Sequence, residues 1–301
     1  MYFRELSEKW LLQKKLEVKE STYYLYCYEL KKYIFPILAE THTLKITEKN
    51  IGFVLDKIRQ TELKRNTKNN LVALFSQIVN FGITNHILKV GCTVRVPLKK
   101  DFCKTTVFRL SDKDINKLEK ILFFKPDNKK FGVMLALYMG LRIGEICALK
   151  WQNFDFENKT ISIENTLQRC YANSMNQTKI VISSVKTVSS KRLVPIPEKL
   201  LEIALNLYTV DDYFMLSNSK NVIEPRNLRR FYMNLCKNNK INGLHFHSLR
   251  HTFASKCVES GENYKTISEL LGHANINTTL NLYVHPTIEE KRKCIEKLFK
   301  I

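Results

Sequence analysis

The chain is short of acidic residues, 29 Asp plus Glu against 49 Lys plus Arg, and several features that would each open a functional class are missing from it. Its longest apolar run, residues 131–141, falls well short of the ~20 residues needed to cross a bilayer. Acidic Glu5 and Glu8 stand where a secretory leader would be basic and then apolar, so a soluble, cytoplasmic protein with no membrane partner is expected. The eight cysteines show no CxxC or other ligand spacing, which argues against a thiolate metal site. A chain of 301 residues can bury a core without disulfides, so they read as free thiols in a reducing compartment. There is no Walker loop and no acidic metal cluster, and neither a cofactor nor a metal is expected. No repeat or low-complexity segment interrupts the sequence.

What is present is positive charge on a chain able to fold. The net charge is +20, while 44% hydrophobic residues leave ample material for cores. The excess is not a tail: residues 1–100 hold 18 basic and 9 acidic residues, and the remainder holds 31 and 20. Basic charge spread over folded segments is the footprint of a nucleic-acid binder, although basic proteins of other kinds share it.

The fold class expected is mainly α with a small antiparallel β-sheet, in two domains. Residues 1–90 read as a bundle of amphipathic helices. Their stripes are Phe3, Leu6 and Trp10; Tyr23, Cys27, Leu30 and Ile34, ending before Pro36; Ile51, Val54, Leu55 and Ile58 after a cap at Thr47; and Leu71, Leu74, Phe75 and Ile78. Residues 91–107 lack either period and contain Pro97, which marks a linker. Residues 108–301 form the second domain. Ser111 with Asp114 opens a helix, and a second helix runs to Gly140. Three β-branched runs, residues 160–163, 180–185 and 193–196, read as one three-stranded antiparallel sheet. From Leu200 the patterns are helical through Lys300.

Three segments of the second domain carry the chemistry: GLRIGE with Arg142, HSLRHT with His247 and Arg250, and LLGHANINTTLNLY with His273 and Tyr283. Arg142 and Glu145, three apart at a helix start, read by themselves as a surface ion pair, and in a functional reading as a phosphate clamp with its local support. His247 and Arg250 share one side of a helix whose N-terminal amides would add to an anion site. Thirteen tyrosines are present, and any one of them is ordinarily a packing residue. Gly272 is a helix stop and Asn277 or Thr278 a new cap, so His273 and Tyr283 would leave successive helices. Two arginines, two histidines and a tyrosine fit attack of a phenol on a phosphodiester. Guanidinium forks hold the phosphate oxygens and histidines manage protons. Arg142 and Arg250, with His273 as a further donor, would stabilise the five-coordinate transition state. His247 would take the Tyr283 proton.

The order and wording of these segments resemble the tyrosine recombinase (phage integrase) family, over nearly the whole chain. KESTYYLYCYELKKYIFPIL also resembles the second helix of its helical, SAM-like core-binding domain, and HSLRHT matches the family's HxxR box. The resemblance implies an enzyme, a site-specific recombinase or integrase of the kind found on mobile elements. It would cleave and rejoin DNA through a 3′-phosphotyrosyl intermediate and exchange strands between two duplexes. Tyr283 is then the nucleophile, Arg142, His247, Arg250 and His273 the catalytic set, and Glu145 its support. The family's β-hairpin lysine falls on Lys186, with Lys179 and Lys191 as rivals, and would protonate the departing 5′ oxygen. The implied partners are double-stranded DNA bearing a recombination site and three further copies, a homotetramer on two DNA sites, with room for accessory proteins. Lys19, Ser21, Thr22, Lys64 and Lys68, near helix starts in the first domain, are candidate DNA contacts. Many family members carry an additional arm-binding domain ahead of these helices, and no counterpart is expected here. Ile288, Ile295, Leu298 and Phe299 would form an apolar stripe for packing in cis or on a neighbouring protomer. The alternatives are type IB topoisomerase-like relaxation, and a non-catalytic DNA-binding protein in which the five residues are coincidental.

Overall fold

The computed structural model describes residues 1–89, 108–171, 178–185, 191–242, 245–273 and 275–283, without the side chains of 171, 278 and 281–283. The expected linker, Lys186 and the apolar stripe from 288 to 299 lie outside the described residues. The chain divides into two compact units, Met1–Cys103 with Arg169–Lys179, and Lys104–Gln168 with Ile180–Ile301.

The first unit is helical: α1 (Phe3–Glu17), α2 (Glu20–Glu29), α3 (Phe35–Leu38), α4 (Glu48–Gln60) and α5 (Arg65–Thr84). The apolar residues recurring every three or four positions converge on one core, in which Phe3, Leu6, Leu30, Ile34, Val54, Leu71, Phe75 and Ile78 are fully buried. Thr47 caps α4 as expected, its hydroxyl accepting from the Asn50 amide. Pro36 does not end the second helical stretch. Leu30–Ile34 forms a turn of π-helix, and the Phe35 amide bonds back to the Leu30 carbonyl. Pro36 then enters at the start of α3, where a missing N–H costs little, so the chain stays helical to Leu38.

The second unit is built around α7 (Asn128–Met139), preceded by α6 (Asp112–Phe123) and followed by α8 (Ile143–Ala148). α6 starts at the expected cap, with Asp114 N–H donating to Ser111 Oγ. The long apolar run of the sequence is this central helix: Phe131, Val133, Met134, Leu135 and Ala136 are all fully buried, which requires partners on every side. Those partners are α6, α8, α9 (Glu198–Leu207), α10 (Pro225–Asn238) and α11 (His247–Glu259). α12 (Tyr264–Leu271) and α13 (Ile276–Tyr283) close the described chain.

The strands differ from expectation. β2 (Thr160–Ile163) sits between β1 (Phe154–Asp155) and β5 (Arg192–Pro195), antiparallel to both, with Ile161 opposite Val194. The 180–185 run is not part of this sheet. It belongs to β4 (Thr178–Ser184), which pairs with β3 (Asn165–Tyr171) in a separate two-stranded sheet. Burial separates the two cases: Ile161 and Val194 are core residues, whereas Ile182 is exposed, so its β-branched character fitted a strand but not that core. The helical pattern after Leu200 is also broken, by a segment between α9 and α10 that makes only isolated bridges, Phe214 to Lys150 and to Ser219. No described helix is long and apolar enough to cross a membrane.

Candidate active site

The C-terminus of α12 is the anchor of the site. A helix end leaves carbonyl oxygens without partners and carries partial negative charge. Here three successive carbonyls each accept from a different guanidinium: Leu270 O from Arg192 Nε at 2.8 Å, Leu271 O from Arg250 Nη2 at 2.6 Å, and Gly272 O from Arg142 Nη2 at 2.9 Å. The three arginines arrive from β5, α11 and the start of α8. Gly272 itself is left-handed, φ +63°, and a β-carbon there would lie 2.8 Å from Arg192 Nη1. Arg250 also donates to Gly140 O at 2.6 Å, at the end of α7, so one buried guanidinium ties two helix ends together. Gly140 has φ +65°, and its missing β-carbon leaves room for Phe253 and Leu271.

Packing three guanidiniums together requires an anion, and Glu145 supplies one. Its carboxylate is 2% exposed and accepts from the Arg142 amide at 2.9 Å and Arg142 Nη1 at 2.7 Å. Arg192 Nη1 and Nη2 add bonds at 3.2 and 3.0 Å. Burial alone would raise the Glu145 pKa, but the hydrogen bonds and charge of Arg192, then Arg142, hold it below the usual range. Arg192 is almost fully buried, whereas Arg142 keeps 35% of its side chain exposed. Arg192 is thus the internal brace and Arg142 the outward-facing cation.

Two histidines complete the cluster. His247 is the first residue of α11, partly open to solvent and otherwise packed edge-on to His251 with ring centroids 4.5 Å apart. His273 follows Gly272, is half-buried, and has Nδ1 2.9 Å from Thr279 Oγ1 in α13. Partial burial, together with nearby positive and imidazole groups, lowers both to about 4: for His247 these are His251, Arg250 and Arg142, and for His273 they are Arg250, Arg142, Arg192 and His247. Both imidazoles are therefore neutral at neutral pH. A groove of about 480 Å³ opens beside His273, with Lys191, Arg192, Thr266, Glu269 and Leu270 in its walls.

Of the residues singled out in the sequence, Arg142, Glu145, His247, Arg250 and His273 come together. Tyr283 ends α13, ten residues after His273, and its side chain lies outside the described part, as does all of Lys186. The rival Lys191 faces Glu164 at 3.4 Å. The new cap before α13 is neither Asn277 nor Thr278: Asn275 Oδ1 accepts from the Asn277 amide, because the helix begins earlier, at Ile276. In the first unit, Lys19 precedes α2, whose first turn holds Ser21 and Thr22, while Lys64 precedes α5 and Lys68 donates to Arg59 O at 2.7 Å. The sequence reading missed Arg192, His251 and Thr279. For Arg192 a signal existed, an arginine inside a β-branched strand at a position that must be buried.

Residues 109–290 match the model of the phage integrase family, and residues 2–59 match that of the phage integrase N-terminal SAM-like domain. A XerC-like tyrosine recombinase from Caldanaerobacter subterraneus subsp. tengcongensis is 30% identical over 76% of the chain, which spans 64% of that relative's length. The ICEBs1 integrase of Bacillus subtilis is 25% identical over 98% of the chain and 82% of its own length. Among solved structures, the Tn1549 transposon integrase in complex with transposon right end DNA shares the fold with a TM-score of 0.77. It is 20% identical, and 99% of each chain is covered. A family model matched over more than half the sequence, on the segments that build the arginine and histidine cluster, shows that the chain belongs to the phage integrase family.

Proposed function

We propose that the protein is a site-specific recombinase that cuts and rejoins DNA through a 3′-phosphotyrosyl intermediate and exchanges strands between two duplexes. The observation that carries this reading is the convergence of Arg142, Arg250, His247 and His273 around the end of α12, followed directly by the helix that ends in Tyr283. Fixed guanidiniums match a phosphodiester, and preorganised cations favour the five-coordinate transition state over the ground state. Tyr283 oxygen bonds to phosphorus as the bond to the 5′ oxygen breaks. The phenol proton passes to His247, which is neutral and therefore able to accept it, and Lys186 protonates the departing 5′ oxygen. The 5′-hydroxyl of a second strand then attacks the phosphotyrosine, reversing the step on a new partner. The bond energy is kept, so the cycle needs no nucleotide and no metal.

Within this reading the first unit is the core-binding domain, with Lys19, Ser21, Thr22, Lys64 and Lys68 on DNA. The enzyme works as a homotetramer on two sites in the cytoplasm, with accessory proteins where a site demands them. Strand exchange is favoured over topoisomerase-like relaxation by the integrase and transposase names among the relatives, the Tn916 transposase of Enterococcus faecalis being 30% identical over 60% of the chain. The test is covalent capture: the protein is expressed in cells, complexes are isolated under denaturing conditions, and the attached DNA is sequenced. A defined site should be recovered with the wild type and none with Tyr283→Phe, which should still bind that site. Cleavage by Tyr283→Phe would overturn the assignment.

A further inference from the structure

We propose that Thr279 is a positioning residue for this reaction: its buried hydroxyl donates to His273 Nδ1 and so fixes the imidazole as the tautomer with a proton on Nε2, ready to donate to the phosphate. The same bond ties α13, the helix that carries Tyr283, to the histidine. This rests on the phosphotyrosyl reading above.

The geometry is a single well-made contact. Thr279 is 0% exposed, and its hydroxyl meets His273 Nδ1 at 2.9 Å. A hydroxyl can accept or donate, so its direction follows from where its proton is needed. Three other buried hydroxyls in helices of this protein donate to the carbonyl four residues back, Ser7 to Phe3, Ser76 to Val72 and Thr252 to Ser248, each at 2.8 Å, and Ser248 donates three back to His245. Thr279 makes no such bond to Asn275, and among the described residues its one partner is the imidazole. Its proton is thus available for Nδ1, and a buried hydroxyl proton left without an acceptor would be costly.

The bond matters because of what surrounds the ring. His273 is neutral and lies among Arg142, Arg192 and Arg250. A neutral imidazole among guanidiniums gains by turning a bare nitrogen toward them. That tautomer would present a lone pair to a phosphate oxygen and repel it. Donation from Thr279 to Nδ1 opposes this, leaving the proton on the other ring nitrogen, where a non-bridging oxygen can accept it. Thr279 is also one helical turn before Tyr283 in α13, so the contact that orients the donor anchors the helix of the nucleophile.

The tautomer is read directly on the DNA-free protein by ¹⁵N–¹H correlation of labelled histidines, with His273 assigned by its loss in His273→Gln. A pyridine-like Nδ1 and a protonated Nε2 are expected. A protonated Nδ1 in the unaltered protein overturns the proposal. The second measurement is the rate of covalent adduct formation on a nicked duplex carrying the captured site. Thr279→Val, which keeps the shape but removes the hydroxyl, should slow it about tenfold or more, less than the ~10²–10³ of removing an oxyanion donor outright. Thr279→Ser should restore the rate to within a few-fold. A Val variant as fast as the wild type, or a folded Ser variant as slow as Val, overturns it as well. If the wild type forms no adduct while the tautomer is as expected, the phosphotyrosyl reading fails and the hydrogen bond stands.

Discussion

The two units hold positive charge in opposite ways. In the first, Lys19, Lys64 and Lys68 stand at helix starts on or near the surface, each placed by local chain geometry. In the second, Arg192 and Arg250 are buried almost completely and Arg142 in large part, held by helix carbonyls and one carboxylate drawn from separate elements. Surface lysines can attract a polyanion but orient a phosphate less firmly, because an ammonium is a hydrated point charge on a flexible stem. Buried guanidiniums with fixed partners orient it more firmly. Net charge is therefore a poor guide to function here, and the burial of the cations separates binding from chemistry.

Changes at the buried set should have the largest effects. Arg250→Lys leaves Gly140 O or Leu271 O without its donor and replaces a fork by a point charge. Adduct formation should fall by ~10²–10³ or more. A near-normal rate in a single-turnover assay would end the contrast between fixed and mobile cations. Glu145→Gln removes the carboxylate that two guanidiniums share. Breaking a buried pair on one side typically costs ~3–5 kcal/mol, which denaturant unfolding at neutral pH would measure. Gly272→Ala should cost ~1–3 kcal/mol, since the left-handed backbone is strained for alanine and Arg192 occupies the space.

Acidification should weaken the second unit in particular. His247 and His273 are lowered to about 4 when folded, and free imidazole titrates near 6.5. Between those values the unfolded chain binds protons that the folded chain does not, so stability rises with pH through the window and falls as pH drops. Glu145 acts in the same direction: its lowered pKa contributes stability above the ordinary carboxylate range, lost as pH falls through its folded value. Unfolding midpoints at neutral pH and at about pH 5 should differ, and His247→Gln with His273→Gln should flatten the difference. The smallest effect is expected in the first unit. Lys64→Ala should weaken DNA binding evenly across sequences and lower the salt slope by ~0.9, as one phosphate contact would.

Caps and stripes were legible wherever local rules decide. Thr47, Ser111, Gly140 and Gly272 all end or start helices as their side chains require, and the stripe residues of the first ninety positions form one core. The errors have a common origin. Pro36 reads locally as a stop, and the π turn before it, which lets the helix continue, has no local signature. The 180–185 run pairs outside the expected sheet because strand propensity says nothing about partners. Arg192 and Thr279 went unnoticed because each matters only through a neighbour distant in the chain or across a helix break, Glu145 and His273.

The sequence by itself determined the helical stripes, most caps and the excess of cations, because residue type and short spacing fix those, whereas Arg142, His247, Arg250 and His273 stood out as candidates through the resemblance of three distant segments to one family. Tertiary structure alone decided that three guanidiniums meet at the end of α12, which of them faces outward, and which hydroxyl meets the imidazole. Those contacts join residues up to 130 positions apart. Their energies depend on burial and on distances of about 3 Å, which no local pattern encodes.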